Sequence, residues 1–173
     1  SFNILLKSCT DYLISEDFLS EIIQIQYLIF YSWFIKYQTC RILDSSANSP
    51  KDKEARIGTI EYVMQDTSIV FTTKLLKEAM ENKQWAVVHA NIVAYTELLT
   101  FLNNLDDFYP QDCKYMKEKL FSDDRINLLT MLPRLANKHS VSFVRSTIDL
   151  THMVLKTLEK DSELEIKSHK LKS

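Results

Sequence analysis

One glycine, Gly58, occurs in 173 residues, and that scarcity constrains the chain more than any motif does. Phosphate-cradling loops, nucleophile elbows and tight hairpins need glycine where φ turns positive or where backbone must approach a ligand. A dinucleotide fingerprint, a Walker loop and a G-x-S-x-G elbow are therefore all absent. Most nucleotide-binding enzyme classes fall at this step. Helices joined by short polar connections remain.

The hydrophobic pattern agrees. In QWAVVHANIVAYTELLTFL, Gln84 to Leu102, one apolar stripe is Trp85, Val88, Ile92, Leu99 and Leu102. A second, Val87, Ala90, Ala94, Leu98 and Phe101, runs along a neighbouring face. A surface helix carries one apolar face of about 100°. Two stripes predict a helix packed on both sides. A second long helix is predicted from Phe18 to about Leu43, with Phe18, Ile22, Ile25 and Ile29 on one stripe. Leu19, Ile23, Tyr27, Phe30, Phe34 and Tyr37 form its other stripe. Its densest part contains Gln24, Gln26 and Ser32 and is too short for a membrane span of about 20 apolar residues.

Around these lie shorter periodic segments. A first helix is expected from Ser1 to Ile14, and Ser15-Glu16-Asp17 offers a cap for the next. Asp44 to Arg56, DSSANSPKDKEAR, reads as a polar linker. A helix from Asp66 to about Glu81 turns Ile69, Thr73, Leu76 and Met80 inward, and Asn82 can cap its successor. Asn103 to Asp112 reads as a loop, Cys113 to Phe121 as a short helix, and Ser122 as the cap of another. Pro133 should kink or restart that helix, because it removes a donor and clashes with the Leu129 carbonyl. The last long helix runs from Ser140 to about Lys160 with Val141, Val144, Ile148, Leu155 and Leu158 inward. Residues 1–160 thus form one helical segment with a linker at 44–56, and 161–173 form a polar tail expected to fray. The start at Ser1, without methionine, and the polar end read as an excerpt from a longer protein.

Chemistry is sparse. The formal net charge of −2 gives no global footprint for nucleic acid. Cys9, Cys40 and Cys113 are odd in number and form no C-x-x-C pair, which fits a reducing compartment. His89, His139, His152 and His169 make no H-E-x-x-H motif. His89 and His152 read as packing residues; a metal or hydrolytic enzyme built on either is the least favoured alternative. The acidic pairs Asp106-Asp107 and Asp123-Asp124 sit where turns and caps want acids. No catalytic residue, metal ligand or cofactor is expected. Basic residues gather locally, and Lys51, Lys53 and Arg56 in the linker are candidates for phosphate or partner contact. So are Arg134, Lys138 and Arg145 around one helix junction. Lys167, His169, Lys170 and Lys172 crowd the tail.

Four blocks in order carry a resemblance. TIEYVMQDTSIVFTTKLLKEAMENKQWAVVHANIVAYTELLTFLNNL resembles the helical block of the Timeless family of replication-fork proteins, through Lys83, Trp85 and His89. KEKLFSDDRINLLTMLPRL is similar to a later block through Leu120 and Phe121, although Ser122 stands where the family often has tyrosine. STIDLTHMVLKTLEK resembles its last helix through Asp149, His152, Leu155, Lys156, Leu158 and Lys160. LIFYSWFIKYQ is similar to its aromatic helix through Phe30, Tyr31 and Phe34. The style of the sequence suggests a fungal, budding-yeast-like member.

The resemblance implies an all-α, armadillo/HEAT-like helical-repeat stack, an α-solenoid of about six to eight helices. It implies a non-enzymatic nuclear scaffold in a replication fork protection complex, serving fork stability, pausing and the replication checkpoint. The implied partners are a Tipin-like small subunit, the replicative helicase and other replisome proteins, with duplex DNA touched by the complex. No membrane, cofactor or small-molecule substrate is implied. Trp85, His89, Leu120, Phe121 and His152 become structural motif residues. A helical-repeat adaptor in circadian or transport pathways is the alternative.

Overall fold

The computed structural model describes residues 2–16, 19–44, 49–51, 54, 58, 66–106, 110–136 and 138–159. Seven helices have defined bounds among them: α1 (Phe2–Ser15), α2 (Glu21–Leu43), α3 (Asp66–Glu81), α4 (Trp85–Leu105), α5 (Pro110–Leu120), α6 (Asp123–Ala136) and α7 (Val141–Glu159). No strand occurs among the described residues. The all-α class is as expected, and seven falls within the expected six to eight. The polar tail from residue 160 lies outside the described residues. Within the polar segment 44–56, Asp44 caps α2, and Pro50, Lys51 and Glu54 are helical. The chain divides into two compact units, Ser1–Ala94 and Tyr95–Ser173, and α4 runs through the division.

In the first unit α1 packs on α2. Leu6, Thr10 and Leu13 form the buried face of α1. Thr10 is tolerated there because its hydroxyl donates to the Leu6 carbonyl at 2.9 Å and meets the Tyr27 hydroxyl at 2.9 Å. The Tyr27 ring meets Phe71 of α3 nearly edge-on, with centroids 5.5 Å apart. Ser20, not Ser15, caps α2: its side chain accepts from the Ile23 amide. Ser15 instead donates to the Tyr12 carbonyl.

The buried face of α2 differs from the predicted stripes. Tyr27, Leu28, Tyr31, Phe34 and Ile35 are buried together with Ser32 and Thr39, whereas Ile22, Ile23, Ile29 and Tyr37 are exposed. Ser32 and Thr39 bond the carbonyls of Leu28 and Ile35, four residues back, which removes the cost of burying a free hydroxyl. Helix α3 buries Phe71, Leu75, Leu76, Ala79 and Met80. Its end is a Schellman turn: the Gln84 amide bonds the Ala79 carbonyl and the Lys83 amide the Met80 carbonyl. Lys83 takes the left-handed position of this motif, at φ 56°, where glycine is usual. Asn82 thus belongs to the end of α3 rather than to the start of α4.

In the second unit α4 runs through Asn103 and Asn104, which turn chemistry alone assigns to a loop. Asn104 donates to the Thr100 carbonyl and Asn103 to the Thr157 hydroxyl, so both amides are consumed inside the fold. Pro110 opens α5, the helical position where a missing amide donor costs nothing. Helix α6 continues three residues past Pro133 without ending. Proline removes a single ladder bond there, in the last turn, and Pro133 is exposed.

Helices α6 and α7 pack together, but α7 does so through an unforeseen face. Phe143, Thr147, Leu150, Val154, Thr157 and Leu158 are buried. Val141 is 78% exposed and Ile148 62%. The threonines disguised the stripe. Thr147 and Thr157 donate to the carbonyls of Phe143 and Met153 at 2.9 and 2.7 Å and then behave as small apolar residues.

Candidate functional site

The one basic cluster wholly within the described residues lies where α6 turns into α7. The turn is closed by backbone bonds from Lys138 to the Leu135 carbonyl and from His139 to the Ala136 carbonyl. Ser140 caps α7 by accepting from the Phe143 amide at 3.3 Å. His139 is half-buried, its ring 4.9 Å from that of Phe143, so it anchors the turn from inside. Arg134 in the last turn of α6, Lys138 in the connection and Arg145 in α7 are all exposed. All three flank the closed turn along the chain. Positions 141, 145, 148 and 152 follow one helical line, so Arg145 stands between the exposed Val141 and Ile148. That mixture of cation and aliphatic suits phosphate or a protein surface.

Of the linker candidates, Lys51 is helical and exposed; Lys53 and Arg56 lie outside the described residues. The structural motif residues divide. Leu120 and Phe121 are fully buried. Trp85, in the first turn of α4, and His89 are only half-buried, so Trp85 is not the deep core residue its stripe suggested. His152 is exposed. Its placement as an inner residue is corrected, because the buried face of α7 passes through Leu150 and Val154.

Two charged side chains of the second unit, Arg125 and Lys117, are buried, which sequence reading missed. Tyr95 donates its hydroxyl to the Leu120 carbonyl at 2.9 Å. The buried Arg125 lies over the Tyr95 ring, 5.4 Å from its centroid. Burial raises the Tyr95 pKa above its ordinary 10.0, while the charge of Arg125 and its hydrogen bond oppose the rise. Lys117, also buried, reaches Asp106 at 3.5 Å. These contacts join α4, α5 and α6. No periodic signal in the sequence marks Arg125 or Lys117 as buried.

Among the described residues no three of His, Cys, Asp and Glu are grouped to hold a metal, and Cys9, Cys40 and Cys113 form no disulfide. Among the described residues one helix, α4, is long and apolar enough to cross a membrane by length and composition. Half of its most apolar window is nevertheless buried within the protein.

No family model matches the chain. It is 37% identical over 161 residues to topoisomerase 1-associated factor 1 of Eremothecium gossypii, an overlap of 92% of this chain and 12% of that protein. To the protein of the same name from Saccharomyces cerevisiae it is 37% identical over 166 residues, 94% of this chain and 13% of the relative. To the mating-type switching protein swi1 of Schizosaccharomyces pombe it is 25% identical over 147 residues, 80% of this chain and 15% of the relative. The chain therefore spans about an eighth of the length of the first two relatives. The relatives' names replace the family label taken from the motifs, since they read topoisomerase 1-associated factor 1 and swi1 rather than Timeless. What the chain resembles is one helical segment of the fungal topoisomerase 1-associated factor 1 proteins.

Proposed function

We propose that this chain is a non-enzymatic scaffold segment of a nuclear protein that works with the DNA replication machinery. The observation that carries the reading is the 37% identity over nearly the whole chain to topoisomerase 1-associated factor 1. One relative's name ties that protein to topoisomerase 1, and another's to mating-type switching. Both names point to events on DNA. The finer role is stabilising and pausing replication forks and supporting the replication checkpoint. Its partners are topoisomerase 1, the replicative helicase and a Tipin-like small subunit. The all-α architecture supports it, since paired helices offer extended surfaces for several partners at once. The basic hairpin of Arg134, Lys138 and Arg145 supplies a surface suited to DNA phosphate or an acidic partner.

The test is affinity purification from S-phase nuclei of a polypeptide of the relatives' length that carries this chain. Topoisomerase 1, helicase subunits and a Tipin-like protein are the expected companions. Recovery of transport or clock components without replisome proteins would overturn the proposal in favour of a helical-repeat adaptor.

A further inference from the structure

Of the prolines in the chain, Pro110 follows a tyrosine, Pro133 a leucine and Pro50 a serine, so Ser49-Pro50 is its one serine- or threonine-proline step. Ser49 stands exposed at a bend outside any helix, and Pro50 and Lys51 after it are exposed and helical. Other hydroxyls of the first two and last helices are placed differently. Thr10, Ser32, Thr39, Thr147 and Thr157 are buried, each bonded to a carbonyl one turn back. Ser20 and Ser140 lie outside helices but act as caps, accepting from the amides of Ile23 and Phe143.

A protein kinase takes its acceptor serine on extended backbone, with the hydroxyl beside a catalytic aspartate and the γ-phosphate of ATP. A buried helical threonine reaches that geometry only by unfolding. Ser49 starts outside a helix, and the proline after it disfavours helical backbone at its own position. Pro50 also brings no N–H. A kinase pocket without an acceptor for the following amide selects proline, because any other residue would bury an unpaired donor there. Pro50 and Lys51 leave the helix on binding, and openings at a helix end lie low on the scale of local stability.

We propose that Ser49 is a phosphorylation site for a proline-directed serine/threonine kinase. The Ser49 Oγ attacks the γ-phosphorus of ATP, and an O–P bond forms as the bond to the β,γ-bridging oxygen breaks. ADP leaves, and the hydroxyl proton passes to the kinase's aspartate. The phosphate adds about −1.5 to −2 of charge at pH 7. Between Ser49 and Ile57 the cations Lys51, Lys53 and Arg56 outnumber Asp52 and Glu54, so the segment changes from net positive to net negative. None of this rests on a role at replication forks.

The test incubates chain 1–173 with ATP and a purified mitogen-activated protein kinase, a proline-directed enzyme, and maps phosphate by peptide mass spectrometry. Phosphate on Ser49 is expected, with kcat/KM within about tenfold of that for a free peptide of residues 45–56, since a helix end opens at little cost. Pro50→Ala should slow incorporation at Ser49 at least about tenfold, the cost of one stranded donor, while keeping the parent's helical circular dichroism. Phosphate found only on other residues would overturn the proposal. So would incorporation at Ser49 that Pro50→Ala does not slow, or a folded chain slower than the peptide beyond that margin.

Discussion

Asn103 of α4 donates its side-chain amide to the Thr157 hydroxyl of α7 at 2.9 Å, joining positions 54 residues apart in the buried interior of the second unit. Thr157 donates its own hydroxyl hydrogen bond to the Met153 carbonyl at 2.7 Å, so the hydroxyl both accepts and donates. The Asn103 Oδ1 atom has no hydrogen-bond partner among the described residues. The pair is therefore half-satisfied, and its parts should not behave additively. Thr157→Val strands the amide and should cost about 1–3 kcal/mol. Replacing both partners, Asn103→Leu with Thr157→Val, removes every stranded atom and should cost less than the single change. Urea denaturation of the four proteins in a double-mutant cycle measures this. A double variant less stable than Thr157→Val alone would refute it.

Lys83 closes the Schellman turn between α3 and α4 with a side chain where glycine is preferred. The left-handed conformation costs a non-glycine residue about 1–2 kcal/mol, and glycine's larger unfolded-state entropy returns part of that. Lys83→Gly should accordingly raise stability by a few tenths to about 1 kcal/mol. Lys83→Val should lower it, since β-branching at positive φ is strongly disfavoured. Thermal melts of the three proteins suffice, and an order other than Gly, Lys, Val would show that the turn forms differently.

Tyr95 makes stability pH-dependent at the alkaline end. Its pKa is raised above 10.0, first by burial, with Arg125 opposing. Below 10.0 both folded and unfolded chains keep the phenol proton, and the full stability is present. As pH passes 10.0 the unfolded chain loses that proton while the folded one retains it, so folding weakens until the folded pKa is reached. Stability of the parent should fall through this window more steeply than that of Tyr95→Phe. The variant should itself be less stable near neutrality by about 1 kcal/mol, for the lost bond to the Leu120 carbonyl. Parallel urea titrations between neutral and alkaline pH compare the slopes, and identical slopes would mean that the phenol is not buried.

The helices were legible because their apolar period is strong, and Leu120 and Phe121 sit in the core as their context suggested. Faces were less legible than elements. In α7 the eye follows Val141 and Ile148, yet the fold buries Thr147 and Thr157, whose hydroxyls are absorbed by carbonyls one turn back. In α2 there are more large apolar residues than one unit can bury, so period alone could not choose between stripes. The end of α4 was hidden by Asn103 and Asn104, residues typical of turns that here bond within or between helices. The basic hairpin was visible as a cluster of letters. That its three cations are exposed around a closed turn required the fold.

That hairpin gives the last prediction. Arg134, Lys138 and Arg145 are exposed and project from a turn pinned by Ser140, His139 and Phe143. Their replacement should therefore leave the fold intact, as surface changes mostly do, within about 0.5 kcal/mol each. If the surface holds duplex DNA, the triple charge reversal Arg134→Glu, Lys138→Glu, Arg145→Glu leaves up to three phosphates without their cation. The slope of log affinity against log salt should then become shallower by about 0.9 for each phosphate no longer neutralised. Reversing Lys74, which pairs with Glu78 on the surface of α3, is the control and should not change that slope. Fluorescence anisotropy with a labelled duplex at several salt concentrations separates the outcomes. Unchanged slope and affinity in a triple variant that melts like the parent would assign the hairpin to a protein partner or to solvent. A weakening confined to the triple variant, and greatest at low salt, is what phosphate binding requires, because counterion release scales with the number of cations engaged.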